Sequence, residues 1–257
     1  MLNYSFPLKI ENQDLKIYEA VFKEKCERKL SDIKNLLLNS GDLNFDCVLY
    51  KFYRGTCFKE DIPLFNQHHI RHDISILFPG TLNGEFLKTH GHYHPKIGNK
   101  TYPEIYQIIN GKGLFLLQDD PQKINKIKFV FIKEGDIVII PPSFGHTTIN
   151  FGKENLIWSN LVADTFESNY ELFKNKKGGT YYILENNPIK WIPNMNYKNI
   201  KEPEYSTPKQ VFDKKPIYDI FKEKPLFFNW LVEPNQFPYQ LEDLFVNKEW
   251  NEIKVNL

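Results

Sequence analysis

Between residues 15 and 37 the apolar positions Leu15, Tyr18, Phe22, Cys26, Leu30, Ile33 and Leu37 recur every three or four residues. That spacing predicts one face of an amphipathic helix, or of two shorter helices in line. Asn12 is placed to cap its start, and Asn39-Ser40-Gly41 to stop it. From about Cys47 the pattern changes to short runs rich in Val, Ile, Phe and Tyr: DCVLYKFY, DISILF, GEFLKTHGHYH, EIYQIIN, GLFLLQ, KFVFI, DIVII, HTTINF and NLIWSNLVA. Turn signals such as Asn83-Gly84, Asn110-Gly111 and Glu134-Gly135 stand between them, so the prediction is a barrel or sandwich of antiparallel strands. The last seventy residues carry eight of the sixteen prolines and no strand spacing. Trp191, Met195, Tyr197, Phe227, Phe228 and Trp230 make this stretch too apolar for a free tail. It predicts an arm packed over the barrel or over a second subunit. The expected organisation is a helical segment over 1–44, an all-β barrel over 45–187 and a proline-rich arm over 188–257.

Composition narrows the function. The 257 residues are 41% hydrophobic and 15% aromatic, enough for a substantial core. A net charge of +1 offers no field for nucleic acid or an anionic membrane, so neither is expected as a partner. The N-terminal stretch lacks an apolar run of signal-peptide length, and Cys26, Cys47 and Cys57 are an odd set without metal-ligand spacing. Reduced thiols and a cytoplasmic location are the expectation.

The seven histidines are grouped as His68, His69 and His72, then His90, His92 and His94, then His146. In an extended strand His90, His92 and His94 would share a face, and neighbours among them could chelate one ion. Glu104 and His146, near other strand-like runs, can complete a set of imidazoles and a carboxylate. Such donors suit iron(II), manganese, nickel or zinc, and leave two positions of an octahedral ion for substrate oxygens. The first group has no carboxylate at matching spacing and is read as surface or supporting.

Several spacings carry a resemblance. Glu104 is followed after six residues by Gly111; Gly135 is followed after five by Pro141; His146 stands five beyond that proline and four before Asn150. These intervals resemble the two motifs of the cupin family, a double-stranded β-helix whose antiparallel barrel holds a metal. FPGTLNGEFLKTHGHYH, PEIYQIINGKGLFLLQ, GDIVIIPPSFGHTTINFG and GGTYYILE are more specifically similar to the cupin-type glucose-6-phosphate isomerases. The resemblance covers roughly residues 45–185.

The family's TxGHxH pattern implies His92 and His94 as metal ligands, with Glu104 and His146 completing the set and His90 at a variable position. It also implies a substrate contact at Tyr106, with Tyr170 keeping a family position and Thr89 and Gly91 standing just ahead of the histidines. A family threonine becomes Ser75 here, while a tyrosine and a histidine near the substrate fall on Val162 and Ser168. The loop between His94 and Glu104 is enlarged. The resemblance implies an aldose–ketose isomerase acting on glucose 6-phosphate and fructose 6-phosphate with one divalent metal, iron(II) first. Glu104 is the first candidate for the base, with Tyr106 and Tyr170 as proton shuttles and Ser75, Thr89 and Gly91 around the phosphate. A hydride shift would need no base. The competing expectations are an isomerase or epimerase of another phosphorylated or modified sugar, and a metal-containing sugar-phosphate sensor without turnover. Cupins often pair through a sheet edge, so a homodimer is a further expectation.

Overall fold

The computed structural model describes residues 2, 4–120, 122–208, 212, 215–238, 241 and 245–247. Strands β1 (Leu8–Glu11) and β2 (Asp14–Ile17) form a hairpin. Its turn residues Asn12 and Gln13 have φ of 51° and 56°, the left-handed pair that a two-residue hairpin turn requires. Next come β3 (Glu24–Lys29) and a single helical turn, α1 (Leu30–Ile33). The expected N-terminal helix is therefore corrected to two strands, an edge strand and one turn. Residues four apart share a face in a strand as well as in a helix, so Phe22, Cys26 and Leu30 fit either period. Pairing with β4 (Val48–Arg54) decided the matter, and β3 half-buries Cys26 and Arg28 on alternate positions.

Helix α2 (Ile62–His68), which the strand pattern did not reveal, leads into β5 (Ile70–Leu77). Then follow the short strands β6 (Thr81–Leu82) and β7 (Glu85–Phe86), and a hairpin of β8 (Lys96–Ile97) and β9 (Lys100–Thr101) within the enlarged loop. The run GEFLKTHGHYH is mostly not regular strand; beyond β7 it pairs through isolated bridges at Lys88, His92 and Tyr93. The chain continues through β10 (Glu104–Asn110), β11 (Lys112–Gln118), β12 (Ile127–Lys133), β13 (Ile137–Ile140), β14 (Gly145–Ile149) and β15 (Leu156–Ala163). Helix α3 (Glu171–Asn175), β16 (Tyr181–Leu184), β17 (Lys190–Pro193), β18 (Glu204–Pro208), α4 (Ile217–Glu223) and β19 (Phe245–Asn247) complete it.

Two sheets form the barrel. One has the order β13-β10-β15-β5-β4-β3 and is antiparallel throughout; the other has the order β14-β11-β12-β18-β19, with β18 parallel to β12. A smaller sheet, β17-β16-β7-β6, adjoins them. This is the double-stranded β-helix of a cupin. The segments before residue 45 and after 188 are built into it, since β3 and β18 extend the two main sheets.

Strand alternation divides the six-stranded sheet into two chemistries. On β5, Ile70, His72, Ile74 and Ile76 point outward, while Arg71, Asp73 and Ser75 line a cavity on the other side. The outward face packs with Ile105, Ile109, Ile157 and Leu161 against Ile217, Tyr218, Phe221, Phe228 and Leu231 from the C-terminal stretch. Burying each such side chain contributes roughly 1.5–3 kcal/mol. Inside, Ile108, Phe115, Leu117, Val130, Val138, Ile140 and Trp158 close one end of the barrel with apolar packing. The polar end is left for the site.

His72 is buried rather than superficial. Its Nδ1–H donates to the Thr56 carbonyl at 2.6 Å, so Nε2 accepts the Tyr4 hydroxyl at 3.1 Å. Burial pushes its pKa down to about 4. The neutral ring fits this pocket and the charged one does not, whereas the unfolded chain protonates near the ordinary value of about 6.5. The contribution to stability is therefore full above pH 6.5 and is lost as pH falls from there toward 4, by up to about 3 kcal/mol. We expect His72→Phe to flatten this slope relative to wild type, measured by denaturant unfolding at neutral and mildly acidic pH. Parallel profiles for the two proteins would refute the assignment.

Candidate active site and metal centre

At the polar end the barrel opens into a cavity of about 530 Å³. Three stretches of chain meet there. A backbone bridge between His92 and His146, with amide–carbonyl distances of 3.1 and 3.0 Å, brings two imidazoles side by side. Glu104 opens β10 and points its side chain inward, as do Tyr106 and Ile108 further along the strand. Ligand atoms of His92, His94, Glu104 and His146 all lie within 4.8 Å of one another.

His90 is outside that group. Gly91 breaks the alternation with φ of 77°, and the His90 ring turns to its own neighbourhood, with Nδ1 3.1 Å from the Gly91 carbonyl and the ring 5.0 Å from that of Tyr170. The glycine is also required by packing, because a Cβ there would sit 2.6 Å from the Phe173 ring.

The side-chain geometry fits a cation. His94 donates Nδ1–H to the Tyr102 carbonyl at 2.8 Å, which leaves its Nε2 lone pair facing Glu104 Oε2 at 3.3 Å. His146 Nε2 lies 3.6 Å from the same oxygen, and His92 Nε2 lies 3.2 Å from His94 Nε2. Metal bonds of about 2.1 Å place adjacent donors about 3 Å apart, close to these separations. Glu104 Oε2 is buried without a hydrogen-bond partner among the described residues, an arrangement that costs stability unless a cation joins it. Burial, reinforced by the neighbouring imidazoles, holds the pKa of His92 and His146 well below the ordinary value. Both rings are therefore neutral and able to donate a lone pair.

The other carboxylate oxygen is engaged differently. Asn160, on the adjacent strand β15, donates Nδ2–H to Glu104 Oε1 at 2.8 Å. This bond turns the carboxylate so that a single oxygen faces the imidazoles. The Tyr106 hydroxyl lies 2.9 Å from His146 Nε2, and burial followed by the Glu104 charge pushes its pKa well above 10. It stays protonated.

Ser75, Thr89, Gly91, Tyr106 and Tyr170 all line the same cavity, as do Val162 and Ser168. The Thr89 hydroxyl accepts the Thr148 amide at 3.0 Å, so it also ties the loop to β14. Sequence reasoning missed Arg28, Arg54, Arg71, Asp73 and Asn160, which line the cavity too. Once Ser75 faces inward, strand alternation also places Asp73 and Arg71 inward; that signal was available for β5. Arg28 had none, because its segment read as a helix.

The profile of the family described as Glucose-6-phosphate isomerase (GPI) matches residues 27–200. The chain belongs to the cupin-type glucose-6-phosphate isomerase family. A protein named glucose-6-phosphate isomerase from Thermococcus onnurineus (strain NA1) is 31% identical over 179 residues, covering 68% of this chain and 88% of that protein. One from Pyrococcus abyssi (strain GE5 / Orsay) is 28% identical over 185 residues, covering 68% and 89%. Among solved structures, oxalate decarboxylase from Bacillus subtilis at pH 4.6 aligns with a TM-score of 0.33 and 21% identity over 45% of this chain and 26% of that one. The residues after 200 lie beyond the span matched to the glucose-6-phosphate isomerase family, yet Ile217, Tyr218, Phe221, Phe228 and Leu231 among them cover the outer face of the sheet that carries Glu104 and Asn160.

Asn160→Ala removes the bond that orients Glu104. We expect divalent metal affinity, measured by calorimetric titration with manganese(II), to fall about tenfold to hundredfold while the protein remains folded. Unchanged affinity would show that Asn160 does not orient the ligand.

Proposed function

We propose that this isomerase interconverts glucose 6-phosphate and fructose 6-phosphate, using one divalent metal ion held by His92, His94, Glu104 and His146. The observation that carries the reading is the convergence of four ligand atoms within 4.8 Å in the wall of a polar cavity, in a chain of this family. An ion there, iron(II) in our reading with manganese, nickel or zinc suited to the same donors, supplies Lewis-acid polarisation of the sugar carbonyl. No described helix is long and apolar enough to cross a membrane. The free thiols of Cys26, Cys47 and Cys57 support a reducing compartment, the cytosol.

The chain's own residues handle hydrogen. Isomerisation moves a hydrogen between C1 and C2. Glu104 is the base in this reading: Oε1 accepts one hydrogen bond from Asn160 and keeps a second lone pair with which to accept the C2 proton and return it at C1. Tyr106, held protonated by burial, is suited to donate to a sugar oxygen as charge develops. Tyr170, at the rim beside His90 and His92, is a second hydroxyl for the same task.

A second reading keeps the site and changes the sugar. Val162 and Ser168 line the wall where the family pattern has tyrosine and histidine, so another phosphorylated sugar remains an alternative substrate.

The test is conversion of fructose 6-phosphate by metal-reconstituted protein. Chelation and His146→Ala should each abolish turnover, by a factor of about 10³ or more, with loss of bound metal by elemental analysis. In heavy water the product should carry deuterium at the carbon that received the proton; complete retention of the substrate hydrogen would replace Glu104 catalysis with a hydride shift. Turnover of a different sugar phosphate alone would favour the second reading, and binding without any turnover would make the protein a sensor.

A further inference from the structure

We infer that Arg28, on the edge strand β3, is the cationic group that binds the phosphate of the substrate and so restricts the site to phosphorylated sugars. This rests on the sugar-phosphate reading above and adds a residue to it. The Ser75 and Thr89 hydroxyls and the Gly91 amide in that cavity are neutral donors, and a cation beside them offsets part of the charge of a phosphate taken out of water.

Three arginines line the cavity, and they differ in what they already hold. Arg54 pairs with Glu24 at 3.5 Å, and Arg71 Nε lies 2.9 Å from Asp73. Arg28 forms no ion pair with a carboxylate among the described residues; its bond to the Glu27 carbonyl is long, at 3.4 Å. Its guanidinium instead lies 5.3 Å from the Phe52 ring and 6.0 Å from the Tyr170 ring. Packing against aromatic faces pre-positions the planar fork while leaving most of its hydrogen-bond donors for a ligand.

The strand register puts these groups together. Arg28 is paired with Tyr50 on β4, and the neighbouring row on the same sheet carries Phe52 opposite Ser75. The Tyr50 hydroxyl accepts the His90 amide at 3.2 Å, which holds the loop bearing Gly91 beside that row. The Gly91 amide donates to no other group among the described residues. A guanidinium, a hydroxyl and an open backbone N–H at one end of the cavity match the oxygens of a phosphate, and a guanidinium can bind two of them at once. Tyr170 links this end to the metal-ligand cluster, with its ring 5.5 Å from His92.

The experiment compares wild type with R28Q, R28M and R28K, using fructose 6-phosphate as substrate and inorganic phosphate as competing ligand. R28M retains the stem that packs on Phe52, so it serves if R28Q does not fold. In the neutral variants KM should rise about tenfold to hundredfold with kcat within about threefold, and inhibition by inorganic phosphate should weaken in parallel. R28K should recover part of both effects, because it restores charge without the fork. Neutral variants with wild-type KM and wild-type phosphate inhibition would overturn the assignment. Should wild type bind inorganic phosphate yet convert no fructose 6-phosphate, the isomerase reading fails separately. Thermal-shift titration with inorganic phosphate then judges Arg28: weaker binding in the folded neutral variants supports it, and equal binding overturns it.

Discussion

A buried carboxylate oxygen with no hydrogen-bond donor beside two imidazoles is costly by itself and favourable around a cation. Glu104 Oε2 is held in that position, and much of the barrel is arranged to keep it there. The His92–His146 bridge fixes one side through backbone hydrogen bonds, the Tyr102 carbonyl sets the tautomer of His94, and Asn160 turns the carboxylate from the neighbouring strand. Each support comes from a different part of the chain. None uses an exposed side chain whose flexibility would blur the geometry.

That precision is possible because the sheet carrying Glu104 and Asn160 is covered on both sides. Its outer face packs on α4 and the turns that follow, and its inner face is apolar at the closed end of the barrel and polar at the open one. The described residues after 200 lie beyond the matched family span; they pack on the outer face of this sheet, and none of them lines the cavity. Tyr218 shows how tightly it is joined: its hydroxyl donates to Asp61 at 2.5 Å and accepts the Phe58 amide at 2.9 Å.

Charge around the cavity is distributed by pairing. Arg54 and Arg71 are balanced by Glu24 and Asp73, whereas Arg28 lies over aromatic rings and forms no ion pair with a carboxylate among the described residues. The family pattern's threonine, tyrosine and histidine are replaced here by Ser75, Val162 and Ser168, so the walls are less polar than the pattern implies.

The strand runs from DCVLYKFY to NLIWSNLVA were legible because alternation and turn residues are local properties, and the structure has strands in nearly all of them. His92, His94, Glu104 and His146 were legible through motif spacing, which reports chemistry without reporting distance. The segment over 15–37 was misread because a four-residue repeat satisfies both helix and strand, and only pairing with β4 distinguishes them. The family pattern sets His90 aside, which strand alternation alone could not do; the left-handed backbone at Gly91 is the physical reason, and the closeness of Phe173 leaves no room for a Cβ there. Asn160 and Arg28 could be assigned no place before the sheet was assembled, because their neighbours are far away in sequence. By itself the sequence determined the kinds of donor and the alternation of faces. The tertiary structure decided which faces meet, since cross-strand partners are chosen by long-range burial and hydrogen bonding rather than by any local period.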